Sequence, residues 1–151
     1  MEIIYSIKDR LSVSSYGMWS GSDYNINLSG IVSGFELTQS RNHSSNGDYS
    51  IEVTNTVTGY NYMWLSENHD TIIGEVYTGI INILNNSSTQ VSLRLLEIET
   101  NKFNDITIPP NESMQKIMIT RTIQSTSKLK FYLIIREPTT VYIDNITLKH
   151  Q

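Results

Sequence analysis

Residues 139–148, Thr-Thr-Val-Tyr-Ile-Asp-Asn-Ile-Thr-Leu, hold an acidic residue in the middle of an apolar, β-branched run. Val, Tyr, Ile and Thr suit a pleated, half-buried surface, whereas Asp and Asn are depleted from strand interiors. The stretch is therefore expected to be a β-strand in which the Asp144 carboxylate needs a cation or several donors. Ca2+ is a hard cation that takes oxygen ligands, and it is a frequent partner of such a carboxylate in extracellular β-sandwiches. Hydrogen bonds from loop amides are the alternative.

The same period of two recurs upstream. In 48–54, Tyr49, Ile51 and Val53 alternate with Ser50, Glu52 and Thr54, the pattern of a half-buried strand. A polar loop ending in Asn46-Gly47 precedes it. In 59–65, Tyr60, Tyr62 and Trp64 alternate with Asn61, Met63 and Leu65. In 75–84, Tyr77, Gly79, Ile81 and Ile83 share one face and Val76, Ile80 and Leu84 the other, as in a central strand covered on both sides. Val91, Leu93 and Leu95 oppose Ser92, Arg94 and Leu96 within 90–99. Residues 106–108 end at Pro109-Pro110, a firm stop, and 115–123 put Ile117, Ile119 and Ile123 together. In 128–136, Leu129, Phe131, Leu133 and Ile135 are expected inward, and Lys130, Tyr132, Ile134 and Arg136 outward. Residues 3–7 and 34–38 are further strands, and the Gly- and Ser-rich stretch 14–22 is expected to be loop. Strands at this spacing predict an all-β fold, a two-sheet antiparallel sandwich forming one domain over residues 1–151.

The residue inventory agrees. The chain has 21 Ile, 15 Thr and 9 Tyr with 19 Ser and 14 Asn, and no Ala. Strand and turn formers are abundant while the best helix former is missing. A net charge of −4 argues against a nucleic-acid partner. Without Cys there is neither a disulfide framework nor a thiol nucleophile. No apolar run approaches the ~18 residues of a membrane span, so no membrane insertion is expected. Residues 1–7 are too short and too polar at their edges for a signal peptide.

Four segments, in order, carry a resemblance: Gly47-Asp48-Tyr49-Ser50-Ile51-Glu52-Val53-Thr54, Gly59-Tyr60-Asn61-Tyr62-Met63-Trp64, Ile72-Ile73-Gly74-Glu75-Val76-Tyr77-Thr78 and Val141-Tyr142-Ile143-Asp144-Asn145-Ile146. Over residues 45–148 the chain resembles the galactose-binding-like jelly-roll carbohydrate-binding modules, the group containing families 4, 9 and 22. The third segment matches that group's apolar-x-Gly-x-x-Tyr-Thr lead into a central strand. The group's opening Asn-x-x-Phe-Glu-like motif, followed by Gly and Trp, has only Tyr16-Gly17-Met18-Trp19-Ser20-Gly21 as a counterpart here. The resemblance implies a jelly roll with a structural Ca2+ at Asp144. Asp48, the 42–47 loop and backbone carbonyls are the candidate partners of Asp144 in holding it.

Enzymatic chemistry finds little support. Glu97 and Glu99 share a strand face, but they sit near a strand end, where exposed carboxylates are usually only solvated; a glycosidase needs two flanking a cleft. His43, His69 and His150 fall in loops or at the terminus with no metal-ligand spacing. Neither a Gly-x-Ser-x-Gly elbow nor a Gly-rich phosphate loop is present. No enzyme is expected.

Glycan binding needs flat rings for sugar faces and forked donors for hydroxyls. Tyr60, Tyr62 and Trp64 share one face, either a binding stripe or simply core. Tyr77 is expected in the core. Tyr132, Arg94 and Arg136 are expected outward, the two Arg able to bond hydroxyls or a uronate carboxylate. Trp19 and Tyr24, in an expected edge loop, are rim contacts, or Trp19 plugs the end of the core. These readings predict a noncatalytic module of a larger extracellular or cell-surface protein, binding a polysaccharide or surface glycan. A structural or protein-interaction domain, as in an adhesin or phage tail, is the alternative.

Overall fold

The computed structural model describes residues 50–66 and 68–150 in full and, before residue 50, the backbone of five strands. The strands are β1 (Glu2–Ile7), β2 (Ser12–Val13), β3 (Met18–Ser20), β4 (Asn25–Asn27), β5 (Phe35–Ser40), β6 (Ser50–Asn55), β7 (Asn61–Trp64), β8 (His69–Asp70), β9 (Val76–Leu84), β10 (Val91–Glu97), β11 (Lys102–Ile108), β12 (Gln115–Thr122), β13 (Lys128–Ile135) and β14 (Thr139–His150). No helix occurs among the described residues. One sheet has the order β12-β9-β14-β6-β5, with β1 also paired to β14. The opposing sheet runs β11-β10-β13-β7, with β8 also on β13, and β2-β3-β4 form a small third sheet. Every pairing of the two main sheets is antiparallel. The fold is the expected two-sheet β-sandwich.

The period of two places the core. Ile51 and Val53, Ile81 and Ile83, and Val141 and Ile143 from one sheet meet Met63 and Leu65, Val91, Leu93 and Leu95, and Leu129, Phe131, Leu133 and Ile135 from the other, all buried. Tyr77 is buried with them, as expected. The two sheets are in tight contact at Gly79, where a Cβ would lie 2.8 Å from the Phe131 ring. Only glycine lets the ring sit against the β9 backbone.

Several elements depart from the sequence reading. β3 lies in the stretch expected to be loop, and β8 was not foreseen. β11 starts at Lys102 rather than at residue 106. Its first residues, Lys-Phe-Asn-Asp, are exposed because β11 is an edge strand, so no apolar alternation marks them. The terminal strand is not regular. Asp144 opposes Asn82 and Thr147 opposes Ile80, three steps on β14 against two on β9. This β-bulge centres on Asn145, whose φ is +51°, a conformation that Asn adopts more readily than most residues. It moves the apolar face from Val141 and Ile143 to Ile146 and Leu148.

Candidate functional site

The register of the second sheet assembles a single outer face. Trp64 opposes Tyr132, Tyr132 opposes Arg94, and Arg94 opposes Asp105, so one row crosses β7, β13, β10 and β11. Tyr62, Ile134, Ser92 and Thr107 form the next row. Lys130, Leu96 and Phe103 form a third on the other side. Met63 and Leu65 take the core side of β7, both fully buried. The aromatic stripe therefore faces out: Tyr60 is 59% exposed, Tyr62 38%, and Trp64 is half-buried. Trp64 also packs against the core cluster.

These side chains touch. Tyr60 and Tyr62 stack with centroids 6.2 Å apart, and Tyr62 meets Tyr132 edge-on at 6.1 Å. The Arg136 guanidinium lies 4.6 Å from the Tyr60 centroid. Arg94 Cζ lies 5.7 Å from the Tyr62 centroid and 3.8 Å from that of Phe103. Nε and Nη2 of Arg94 donate to the two oxygens of Asp105 at 2.6 and 2.8 Å. That hydrogen-bonded pairing raises the Arg94 guanidinium above its ordinary value. Burial raises the Tyr132 hydroxyl likewise, so it stays a neutral donor and acceptor. Arg94 and Tyr132 thus sit together as the alternation predicts. Asp105 and Phe103 are members of the face that sequence reasoning missed, because the strand carrying them was expected to begin only at residue 106.

Three outward positions are not open surface. Ile134 is fully buried, and Ser92 and Lys130 are each 2% exposed. The Lys130 ammonium lies over the Trp64 ring, a cation–π arrangement that buries the long stem and covers one face of the indole. Ring area for a ligand is therefore mainly that of Tyr60, Tyr62 and Tyr132.

Glu97 overturns its expected role as a solvated carboxylate. It lies on the core side of β10, fully buried, and pairs with the buried Arg121 of β12 in the opposing sheet. Arg121 Nε donates to Glu97 Oε2 at 2.6 Å, and Arg121 Nη1 donates to Asn104 Oδ1 at 2.6 Å. The Ser125 hydroxyl and amide donate to Glu97 Oε1 at 2.6 and 2.9 Å. Burial by itself would raise the Glu97 carboxyl; the Ser125 hydroxyl, Arg121 and the amides of Gln124 and Ser125 outweigh it and hold the carboxyl below its ordinary value. Glu99 is exposed, so the two do not form a catalytic pair. His69, in β8 and not in a loop, and His150 each pack on the Tyr77 ring, with centroids 5.5 and 4.8 Å away, and His150 Nε2 lies 3.2 Å from Glu75 Oε2.

Asp144 is fully buried beside the β14 bulge, and its Oδ1 accepts the Asn145 amide at 2.9 Å. A buried carboxylate at a bulge fits a hard cation held by oxygen ligands. No group of three or more His, Asp or Glu that could hold a metal occurs among the described residues. Asp48, the loop 42–47, Tyr24 and the side chain of Trp19 lie outside the described residues; the Trp19 backbone belongs to β3, not to a loop.

No protein-family model and no curated protein matches the chain. Solved structures do match in fold. The CBM22-1 xylan-binding domain of Paenibacillus barcinonensis Xyn10C superposes with a TM-score of 0.62 at 10% identity, over 99% of this chain and 94% of that one. The carbohydrate-binding module CBM6cm-2 of Cellvibrio mixtus lichenase 5A, solved with cellotriose, gives a TM-score of 0.57 at 12% identity, over 97% of both chains. The BiXyn10A CBM1 module gives 0.58 at 8% identity over the whole of both chains. The chain has the jelly-roll fold of carbohydrate-binding modules.

Proposed function

We propose that this protein is a noncatalytic carbohydrate-binding module that takes a polysaccharide or cell-surface glycan across the outer face of the β11-β10-β13-β7 sheet. The observation that carries this reading is the exposed, stacked pair Tyr60 and Tyr62, with the half-buried Tyr132 edge-on to Tyr62, beside Arg94 and Arg136. Sugar C–H faces stack on such rings, and the guanidinium forks bond hydroxyls. The fold shared with a module solved with cellotriose and with a xylan-binding domain supports the same reading. That Glu97 is spent on a buried ion pair supports a role without turnover. Retention on affinity gels containing soluble plant and microbial polysaccharides is the test. A folded protein that no polysaccharide retards would overturn the proposal.

A structural Ca2+ at Asp144 belongs to the same reading, with Asp48 as its candidate partner. So does a place in a larger extracellular or cell-surface protein, as with the CBM22-1 module joined to a GH10 module in Clostridium thermocellum xylanase 10B.

A further inference from the structure

We infer that the aromatic face selects glycans bearing carboxylates, uronate-containing polysaccharides, and that Arg136 is the side chain that takes the carboxylate. This rests on the glycan reading above and names the class of sugar.

Four cationic side chains stand on this face, and they are not equivalent. Lys128 lies at the β8 end of it, opposite Asp70. Lys130 is buried against Trp64. Arg94 is held by both oxygens of Asp105, so most of its fork and its charge are already used inside the protein. Arg136 differs. Among the described residues it enters no ion pair, although the exposed Glu137 follows it in the chain. Its Nε is buried and makes no hydrogen bond. Tyr60 holds the guanidinium plane from one face, with Cζ 4.6 Å from the ring centroid.

The arrangement is a fork fixed in orientation and short of an acceptor. With Nε buried, the Nη1/Nη2 end of the guanidinium is the edge a ligand can meet, and that end matches a carboxylate through two parallel hydrogen bonds. Neutral hydroxyls would satisfy the donors without balancing the charge. The described residues of the face carry four cations, Arg94, Arg136, Lys128 and Lys130, against the two carboxylates of Asp105 and Asp70, although the whole chain has a net charge of −4. The cationic excess is thus local to the aromatic face, where it favours an anionic ligand. A uronate ring stacked on Tyr62 or Tyr132 would bring its carboxylate toward the Tyr60–Arg136 end of the stripe.

The test uses affinity electrophoresis of the full chain in gels containing polygalacturonate, glucuronoxylan or alginate, each beside its carboxyl-reduced form. Carboxyl reduction leaves a neutral polymer with the same linkages. The expected result is retention by at least one acidic polymer, with binding about tenfold weaker on the reduced form, the loss expected for one charge-assisted contact. Arg136→Gln should remove that preference, so that each acidic polymer is retained no better than its reduced form. Arg136→Lys, which keeps the charge without the fork, should restore part of it. Reduced polymers that bind as well as acidic ones, or an Arg136→Gln variant that keeps the preference, would overturn this inference while leaving glycan binding intact. Retention by no polymer of either kind would overturn both.

Discussion

Glu97→Ala should destabilise the protein by about 3–5 kcal/mol, the usual cost of removing one partner of a buried ion pair. The structure explains why the upper part of that range applies. Glu97 is fully buried and Arg121 is 5% exposed. The carboxylate answers Arg121, the Gln124 amide, and the amide and hydroxyl of Ser125. Its loss leaves a guanidinium charge in the sandwich with only Asn104 on Nη1. For a domain of this size that is a fall of about 10 °C in Tm. Urea unfolding of the wild type, Glu97→Ala and the double variant Glu97→Leu/Arg121→Met measures it. The double variant should regain more than half the loss, because it removes the stranded charge as well as the pair. A second signature is in pH. The folded-state carboxyl lies below its ordinary value of 4.5, so its contribution is complete above that pH and is lost as pH falls through the lower folded value. Glu97→Ala should therefore flatten the acid limb of the stability profile. A cost under about 1 kcal/mol, or an unchanged acid limb, would refute the reasoning.

Tyr60→Ala removes a mostly exposed ring and should abolish most glycan retention with stability changed by no more than about 0.5 kcal/mol; equal retention in the affinity gel would count against the platform. Trp64→Ala should instead cost about 2–3 kcal/mol in urea unfolding, short of the ~3–5 of a fully buried Trp, because the indole packs on the core on one side and lies under Lys130 on the other. Gly79→Ala places a Cβ 2.8 Å from the Phe131 ring and should destabilise by about 1–3 kcal/mol, read in the same assay. Added Ca2+ should stabilise by about 2.7 kcal/mol at 100 times Kd, and Asp144→Asn should abolish the rise in Tm; a melting curve that Ca2+ leaves unmoved after chelation would speak for Asp144 being held by hydrogen bonds alone.

Local alternation in the sequence was enough to show the all-β class, most strand positions and the direction of Tyr132, Arg94 and Arg136. A side chain's face follows from the strand period of two, which needs no knowledge of the partner strand. The β14 bulge was also there to be read, since the apolar residues change parity between Ile143 and Ile146. For Tyr60, Tyr62 and Trp64 the period was silent, because Met63 and Leu65 on the opposite face are equally fit for a core. Only their packing against the other sheet decided it.

What the chain order could not carry is which strands become neighbours. Arg94 meets Asp105 because β10 and β11 form a hairpin pair, and it meets Tyr132 because β13 lies on its other side. Glu97 looks like a solvated carboxylate along its own strand. It becomes buried only because β12 of the other sheet brings Arg121 across from 24 residues away. Period and composition are properties of a segment, so the sequence by itself determined most of the strands and the faces of those with a one-sided apolar pattern. Register, sheet order and the pairing of charges are long-range, so the tertiary structure alone decided which rings and cations share a face and which charges are withdrawn from it.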